Sequence, residues 1–251
     1  MFDLVLFIEG FEVEYGKYLA TLSEFEHQVA SLSPARAQIQ AVKATLSALA
    51  KQELPKAPLP KLGFSTAYLE RHLLDHPELF ELERVLNLVR QVAIENFGVW
   101  HLFSSAWCEA LKQELYPGKT IELMAGNALL AKNLPATFAV DELDWKGQDN
   151  ERPDPWTKVY RLDALEAVQR YYTEVNNLIL AWAPETTTKD QQILVFLRQK
   201  KWSGRFIVIG EKNGATNSKR FWQEAKLNYV PSLNTLHQPF DAIKDKVFLV
   251  K

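Results

Sequence analysis

The stretch Thr120-Ile121-Glu122-Leu123-Met124-Ala125-Gly126-Asn127-Ala128-Leu129-Leu130 carries the chemistry most readily read from this chain. It reads as a short strand ending on an acid, a tight turn of small residues, and the opening of a helix. A turn of that kind offers backbone N–H groups and the positive end of a helix to the polar part of a nucleotide-like ligand. Two more acids stand where later strands would end, Asp141 after Phe138-Ala139-Val140 and Asp163 after Arg161-Leu162. Asp163 could equally cap the helix that follows it.

Other polar side chains are candidates for facing a substrate. Glu185 comes just after the apolar run Leu178–Trp182, His101 stands near the entry to the second half of the chain, and His237 lies in a late loop. Each competes with an ordinary surface or structural role. Trp100, Trp145 and Trp182 could line a pocket for a flat ligand or simply pack a core. No His/Cys group has metal-ligand spacing, so no metal is expected. The single cysteine, Cys108, excludes an intrachain disulfide, fits a reducing compartment, and sits in an apolar helical pattern that suits a buried structural thiol.

The formal charge of −2 over 251 residues gives no electrostatic reason to expect nucleic acid or an acidic membrane as partner. The cluster Arg198-Gln199-Lys200-Lys201 reads as a solvated helix end. The apolar run after Met1 is short, lacks a basic lead and has acids at both ends, which suits neither a signal peptide nor a membrane span. A soluble, cytoplasmic protein is expected.

The elements that must position these residues divide the chain in two. Residues 1–99 read as helical. Phe11, Tyr15, Tyr18, Leu22, Phe25, Val29 and Leu32 form a heptad-like seam, Pro34 opens a second helix, and Ile39, Val42, Leu46 and Leu49 give that helix its stripe. The two make a helical hairpin over 11–53, and the seam could pair within the chain or join two chains as a homodimer. Leu54–Gly63, with three prolines in six residues, reads as an extended linker. Helix resumes near Ser65. One helix from about Pro77 closes at Asn96-Phe97-Gly98, and another spans about Trp100 to Leu115. From Thr120 short apolar runs alternate with helical stretches. Strands are expected at 120–123, 137–140, 158–161, 178–182, 205–209, 228–230 and 246–250, with helices at 128–133, 164–172, 189–200 and 218–224. This alternation predicts an α/β fold with a mostly parallel sheet and helices on both faces, and an antiparallel edge pair formed by the last two strands, joined without a helix.

The portion from about Trp100 to Lys251 resembles a class I S-adenosylmethionine-dependent methyltransferase. The resemblance rests on ordered motifs: Glu122, Met124, Gly126 and Ala128 for the acid and alternating glycines after the first strand, then Asp141, Asp163 and the segment Asn176–Glu185. The chain departs from the pattern at Met124 and Ala128, where the family has glycine. Its Trp182-Ala183-Pro184-Glu185 also lacks the Asp/Asn-Pro-Pro-aromatic tetrad of amino-group methyltransferases. The resemblance implies a seven-stranded Rossmann-like domain over 100–251 and S-adenosylmethionine as cofactor. It implies that Glu122, Ala125, Gly126 and Asn127 pass under the methionine moiety, that Asp141 takes the ribose hydroxyls, and that Asp163 and Ala164 meet the adenine. Trp182 would lie at the same site.

Methyl transfer needs donor and acceptor held in line, and a general base only where the acceptor must lose a proton. The catalytic group is unassigned, with Glu185 and His101 as candidates, and the methyl acceptor is not legible. Three functions follow: a methyltransferase, a degenerate relative kept as an interaction module because Met124 and Ala128 narrow the turn, and an NAD-type oxidoreductase. The last lacks its Gly-x-Gly-x-x-Gly.

Overall fold

A computed structural model describes residues 13–251. Phe11 of the expected seam and the run after Met1 lie outside the described residues. Helices α1 (Tyr15–Gln28) and α2 (Ser33–Leu49) form the expected pair, with Tyr18, Leu22 and Phe25 buried on the first and Ile39, Val42, Leu46 and Leu49 on the second. Pro34 occupies the first turn of α2, where its missing N–H costs nothing. Lys43 reaches across to both Ser23 and Glu26, 3.0 Å each. The buried Tyr18 hydroxyl donates to the Val85 carbonyl at 2.9 Å and ties the pair to the next helical layer.

That layer holds α3 (Thr66–His72), α4 (Glu78–Asn87) and α5 (Val89–Phe97). The single helix expected from Pro77 to Asn96 is two. Leu88 stands at the joint with φ −77° and ψ −7°, and its N–H bonds three residues back, to Val85. The tighter turn leaves Val89, Arg90, Val92 and Ala93 all buried. The linker Leu54–Gly63 is irregular as expected, yet it is strapped down. Leu59 and Leu62 are buried, Leu62 N–H donates to Phe240 O at 2.8 Å, and Pro55 O accepts from Ser105 N–H at 2.9 Å.

Helix α6 runs from Ser105 to Glu114, shorter than expected. Residues 100–104 are irregular, and the Ser104 hydroxyl caps the helix by accepting the Trp107 N–H. Then come β1 (Thr120–Leu123), α7 (Leu129–Asn133), β2 (Thr137–Asp141), β3 (Val159–Arg161), α8 (Ala164–Tyr171), β4 (Asn177–Ala181), α9 (Lys189–Gln199), β5 (Arg205–Gly210), α10 (Lys219–Glu224), β6 (Leu227–Tyr229), α11 (Pro231–Leu236) and β7 (Lys246–Val250). The seven strands form one sheet in the order β3-β2-β1-β4-β5-β7-β6. The sheet is mixed. β3, β2, β1, β4 and β5 run parallel, whereas β7 is antiparallel to β5 on one side and to β6 on the other. The expected antiparallel edge pair is present, but a short helix, α11, joins its strands.

Alternation along the strands sends side chains to two buried faces. Ile179, Ile207, Ile209 and Val247 share an apolar cluster with Trp107, Leu130 and the helical hairpin, including Tyr18, Leu22 and Ile39. Leu178, Leu180, Phe206 and Val208 face Ala167, Val168, Ile193, Leu197 and Trp222 of α8, α9 and α10. The N-terminal helices are thus part of the cover over one sheet face. No helix among the described residues is long and apolar enough to cross a membrane.

Gly98 ends α5 in the left-handed region, φ 58°, with its N–H on Ile94 O and the next N–H on Ala93 O. A Cβ there would stand 2.7 Å from the Asn127 amide nitrogen and 2.8 Å from the Trp145 ring. Gly98→Ala should therefore lower unfolding free energy by about 2–4 kcal/mol, from left-handed strain plus overpacking. Chemical denaturation measures this, and a loss below about 0.5 kcal/mol would contradict the packing described.

Candidate functional site

The turn after β1 sits at the carboxyl end of the parallel strands. It takes three left-handed residues: Met124 at φ 51°, Gly126 at φ 53° and Ala128 at φ 57°. Two of these carry a Cβ, which costs roughly 1–2 kcal/mol each. Internal hydrogen bonds hold the turn. Ala125 N–H donates to Val140 O at 3.0 Å, Ala128 N–H to Ala125 O at 2.8 Å, and Gly126 N–H to Asp141 Oδ2 at 2.9 Å. The other oxygen of Asp141 accepts the Leu143 N–H at 2.6 Å. Asp141 and Gly126, expected at one ligand, are thus in direct contact.

Glu122 points away from the strand ends. Buried at 4% exposure, it accepts the Ala131 N–H of α7 at 2.7 Å. Burial pushes its carboxyl up to about 8, with the Asp141 charge adding and the Ala131 and Leu130 N–H groups opposing. Asn127 is buried and its amide is committed within the protein. Its nitrogen donates to Phe97 O at 2.8 Å, and its side-chain oxygen accepts the Asp154 N–H at 2.9 Å. Trp145 covers the turn. A Cβ on Gly126 would meet the Trp145 ring at 3.7 Å, and Trp100 packs edge-on against that ring at 4.9 Å.

Asp163 acts as a helix cap, accepting the Leu165 and Glu166 N–H groups at the start of α8, and its second oxygen pairs with Lys189 at 2.7 Å. Burial works to raise its pKa, and the Lys189 contact with the two backbone donors outweighs it, leaving it below the usual range. Ala164, the first residue of α8, is buried. Glu185 is exposed on the loop after β4 and is not part of the group that His101 joins.

That group was not foreseen. His101, His237 and Asp245 are all buried and converge at the carboxyl ends of β4 and β5. His237 Nε2 lies 2.9 Å from Asp245 Oδ2, His101 Nε2 lies 3.7 Å from the same oxygen, and the two Nε2 atoms are 3.4 Å apart. Trp182, left-handed at φ 56°, donates its indole N–H to Asp245 Oδ2 at 3.1 Å, and its ring stacks with His101 at 5.9 Å and 14°. The Arg90 guanidinium lies 4.5 Å from the Trp182 ring centroid and pairs with Asp241 at 2.6 and 3.1 Å. Burial holds His101 well below the ordinary imidazole range, with His237 adding to the effect and Asp245 opposing it. Burial would raise Asp245, but the His237 hydrogen bond and the His237, His101 and Arg90 charges keep it far below the carboxylate range. The Nδ1 of His101 is buried and has no hydrogen-bond partner among the described residues.

Asp245 went unnoticed because its neighbours come from distant parts of the chain. In the fold Lys246 opposes Gly210, so the residue before β7 falls at the carboxyl end of β5.

No family model and no curated protein matches the chain. Among solved structures, the crystal structure of a Thermoplasma acidophilum protein is similar over 59% of this chain and 87% of its own, at 15% identity and a TM-score of 0.29.

Glu122 yields a pH prediction. Its folded pKa lies above its unfolded value, so the folded state binds more protons between the two, and its contribution to stability falls as pH rises from about 4.5 to about 8. Glu122→Gln keeps an acceptor for Ala131 without the ionisation. Relative to the native chain, the variant should gain melting temperature progressively from pH 5 to pH 8. A difference that does not change with pH would show that Glu122 is not protonated in the fold.

Proposed function

We propose that the chain is an S-adenosylmethionine-dependent methyltransferase of Rossmann-like fold, acting on an acceptor yet to be identified. The observation that carries this reading is the contact between Asp141 and Gly126, 2.9 Å, beside the point where the strand order reverses. Strands β1, β2 and β3 progress in one direction and β4 and β5 in the other, so the carboxyl ends of β1 and β4 mark the switch point of the sheet, where doubly wound folds take their ligands. The glycine turn follows β1 there, Asp141 ends β2 and Trp182 follows β4.

The residues present fit the cofactor in part. Asp141 keeps unused lone pairs for ribose hydroxyls beyond its two backbone donors, whereas a Cβ at Gly126 would already be in van der Waals contact with the Trp145 ring, so a ligand there needs the indole to move aside. When bound, the cofactor supplies an activated methyl group on a sulfonium. The chain's part is to hold that group in line with the acceptor and to exclude water. Trp145 and Trp100 would form the apolar wall for this, and no general base is required where the acceptor need not lose a proton.

A second reading has its own observation. The N–H groups of Ala125 and Gly126 are spent on Val140 and Asp141, and Trp145 stands over the turn. A fold retained as an interaction module would look the same.

Calorimetric titration of the full chain with S-adenosylhomocysteine separates the two. The methyltransferase reading expects a micromolar dissociation constant, weakened at least about tenfold, or about 1.4 kcal/mol, in Asp141→Ala. Absence of binding at millimolar ligand, in a sample with native circular dichroism, would leave the interaction module.

A further inference from the structure

The cluster of His101, His237 and Asp245 lies apart from the Asp141–Gly126 contact on which the methyltransferase reading rests, and its geometry needs its own explanation. We propose that it is a binding site for one divalent transition-metal ion of the zinc class, held by His101 Nε2, His237 Nε2 and Asp245 Oδ2. The three atoms are 3.4, 2.9 and 3.7 Å apart. The point equidistant from all three lies about 2 Å from each, the length of a zinc–imidazole or zinc–carboxylate bond. Two imidazoles and one carboxylate select zinc, iron, cobalt or nickel over magnesium and calcium, which prefer oxygen.

The surroundings fit a cation. All three residues are buried, so their donors face one another rather than water. Trp182 N–H holds Asp245 Oδ2 from outside the triangle at 3.1 Å, the kind of outer hydrogen bond that orients a ligating carboxylate. The nearby Arg90 does not compete for Asp245, because its guanidinium is engaged by Asp241 and by the Trp100 carbonyl. The only formal negative charge among the three ligands is Asp245, which a dication compensates.

Hydrogen bonding within the cluster explains it poorly. Asp245 Oδ2 takes the His237 and Trp182 protons, and His101 Nε2 is then left facing a second imidazole nitrogen at 3.4 Å, with Asp245 Oδ2 beyond hydrogen-bond reach at 3.7 Å. Each unpaired buried polar atom costs roughly 1–3 kcal/mol, and an apolar residue at 101 would avoid that cost. A metal makes His101 Nε2 a ligand instead of a poorly matched neighbour. Three protein ligands leave a position for water or another small oxygen ligand, as in non-structural zinc sites.

The test uses the full, untagged chain after chelator treatment and dialysis. Titration with Co2+ should give visible d–d absorption saturating at one equivalent, and Zn2+ should displace the cobalt and bleach the bands. His237→Ala and Asp245→Ala should weaken Co2+ binding at least a hundredfold. Trp182→Phe, which removes the outer hydrogen bond and keeps an aromatic ring against His101, should weaken it by about tenfold. Glu109→Gln, a change at an exposed ion pair on α6, should retain the native spectrum. Should the ligand variants misfold, the native chain still decides the matter. No visible bands and no one-to-one stoichiometry, or bands that survive unchanged in folded His237→Ala, overturn the proposal. The titration with S-adenosylhomocysteine is read on a different ligand, so either proposal can fail alone.

Discussion

Asn127 is the joint on which the arrangement of the strand ends depends. Its side chain joins the end of α5, through Phe97 O, to the segment after β2, through Asp154 N–H, and its own carbonyl accepts the Trp156 N–H at 2.8 Å. Each bond nets only about 0.5–1.5 kcal/mol. Their combined effect is positional, since three stretches distant in sequence are fixed around one buried amide. The turn after β1 cannot shift without leaving these groups unpaired in the interior. Gly98 lies against the same amide, which is why the helical layer and the strand ends keep one relative position.

That fixed position decides what covers Gly126. Trp145 is held between Gly98 and Gly126, with Trp100 against its edge. Either the indole is one wall of a ligand crevice or it occupies the crevice. The strain at Met124 and Ala128 bears on this choice. Side chains in left-handed backbone cost free energy that an ordinary loop avoids, and such cost persists where surrounding structure over-determines the conformation. Here the over-determination is visible in the hydrogen bonds from Ala125, Gly126 and Ala128, so strain alone does not argue for a ligand.

Local features were legible in the sequence. The strands begin and end within about a residue of expectation because buried parallel strands read as short apolar runs bounded by turn signals. Pro34, Gly98 and the Pro-rich linker also marked their breaks by backbone chemistry alone. The break at Leu88 carries no such signal, since Leu86-Asn87-Leu88-Val89 is unremarkable helix sequence and only burial of Arg90 against Asp241 and Trp100 distinguishes it. Likewise, Trp100 to Ser104 continues a plausible helical pattern, and the polar cap at Ser104 was hidden inside it. Gly126 and Asp141 stand out in the sequence, but their direct contact does not. The grouping of His101 with His237 and Asp245 needed the placement of β7 between β5 and β6, which no local pattern encodes.

Trp182 connects the two regions. Its N–H continues from β4 onto Ile209 O of β5 at 2.8 Å, its left-handed φ turns the chain out of the sheet, and its indole N–H then meets Asp245. The same ring lies against His101 and under Arg90. A bulky residue in that backbone region is strained, and the partners that hold it are the carboxylate and imidazole of the cluster. The cluster therefore anchors the loop after β4, beside the point where the strand order reverses.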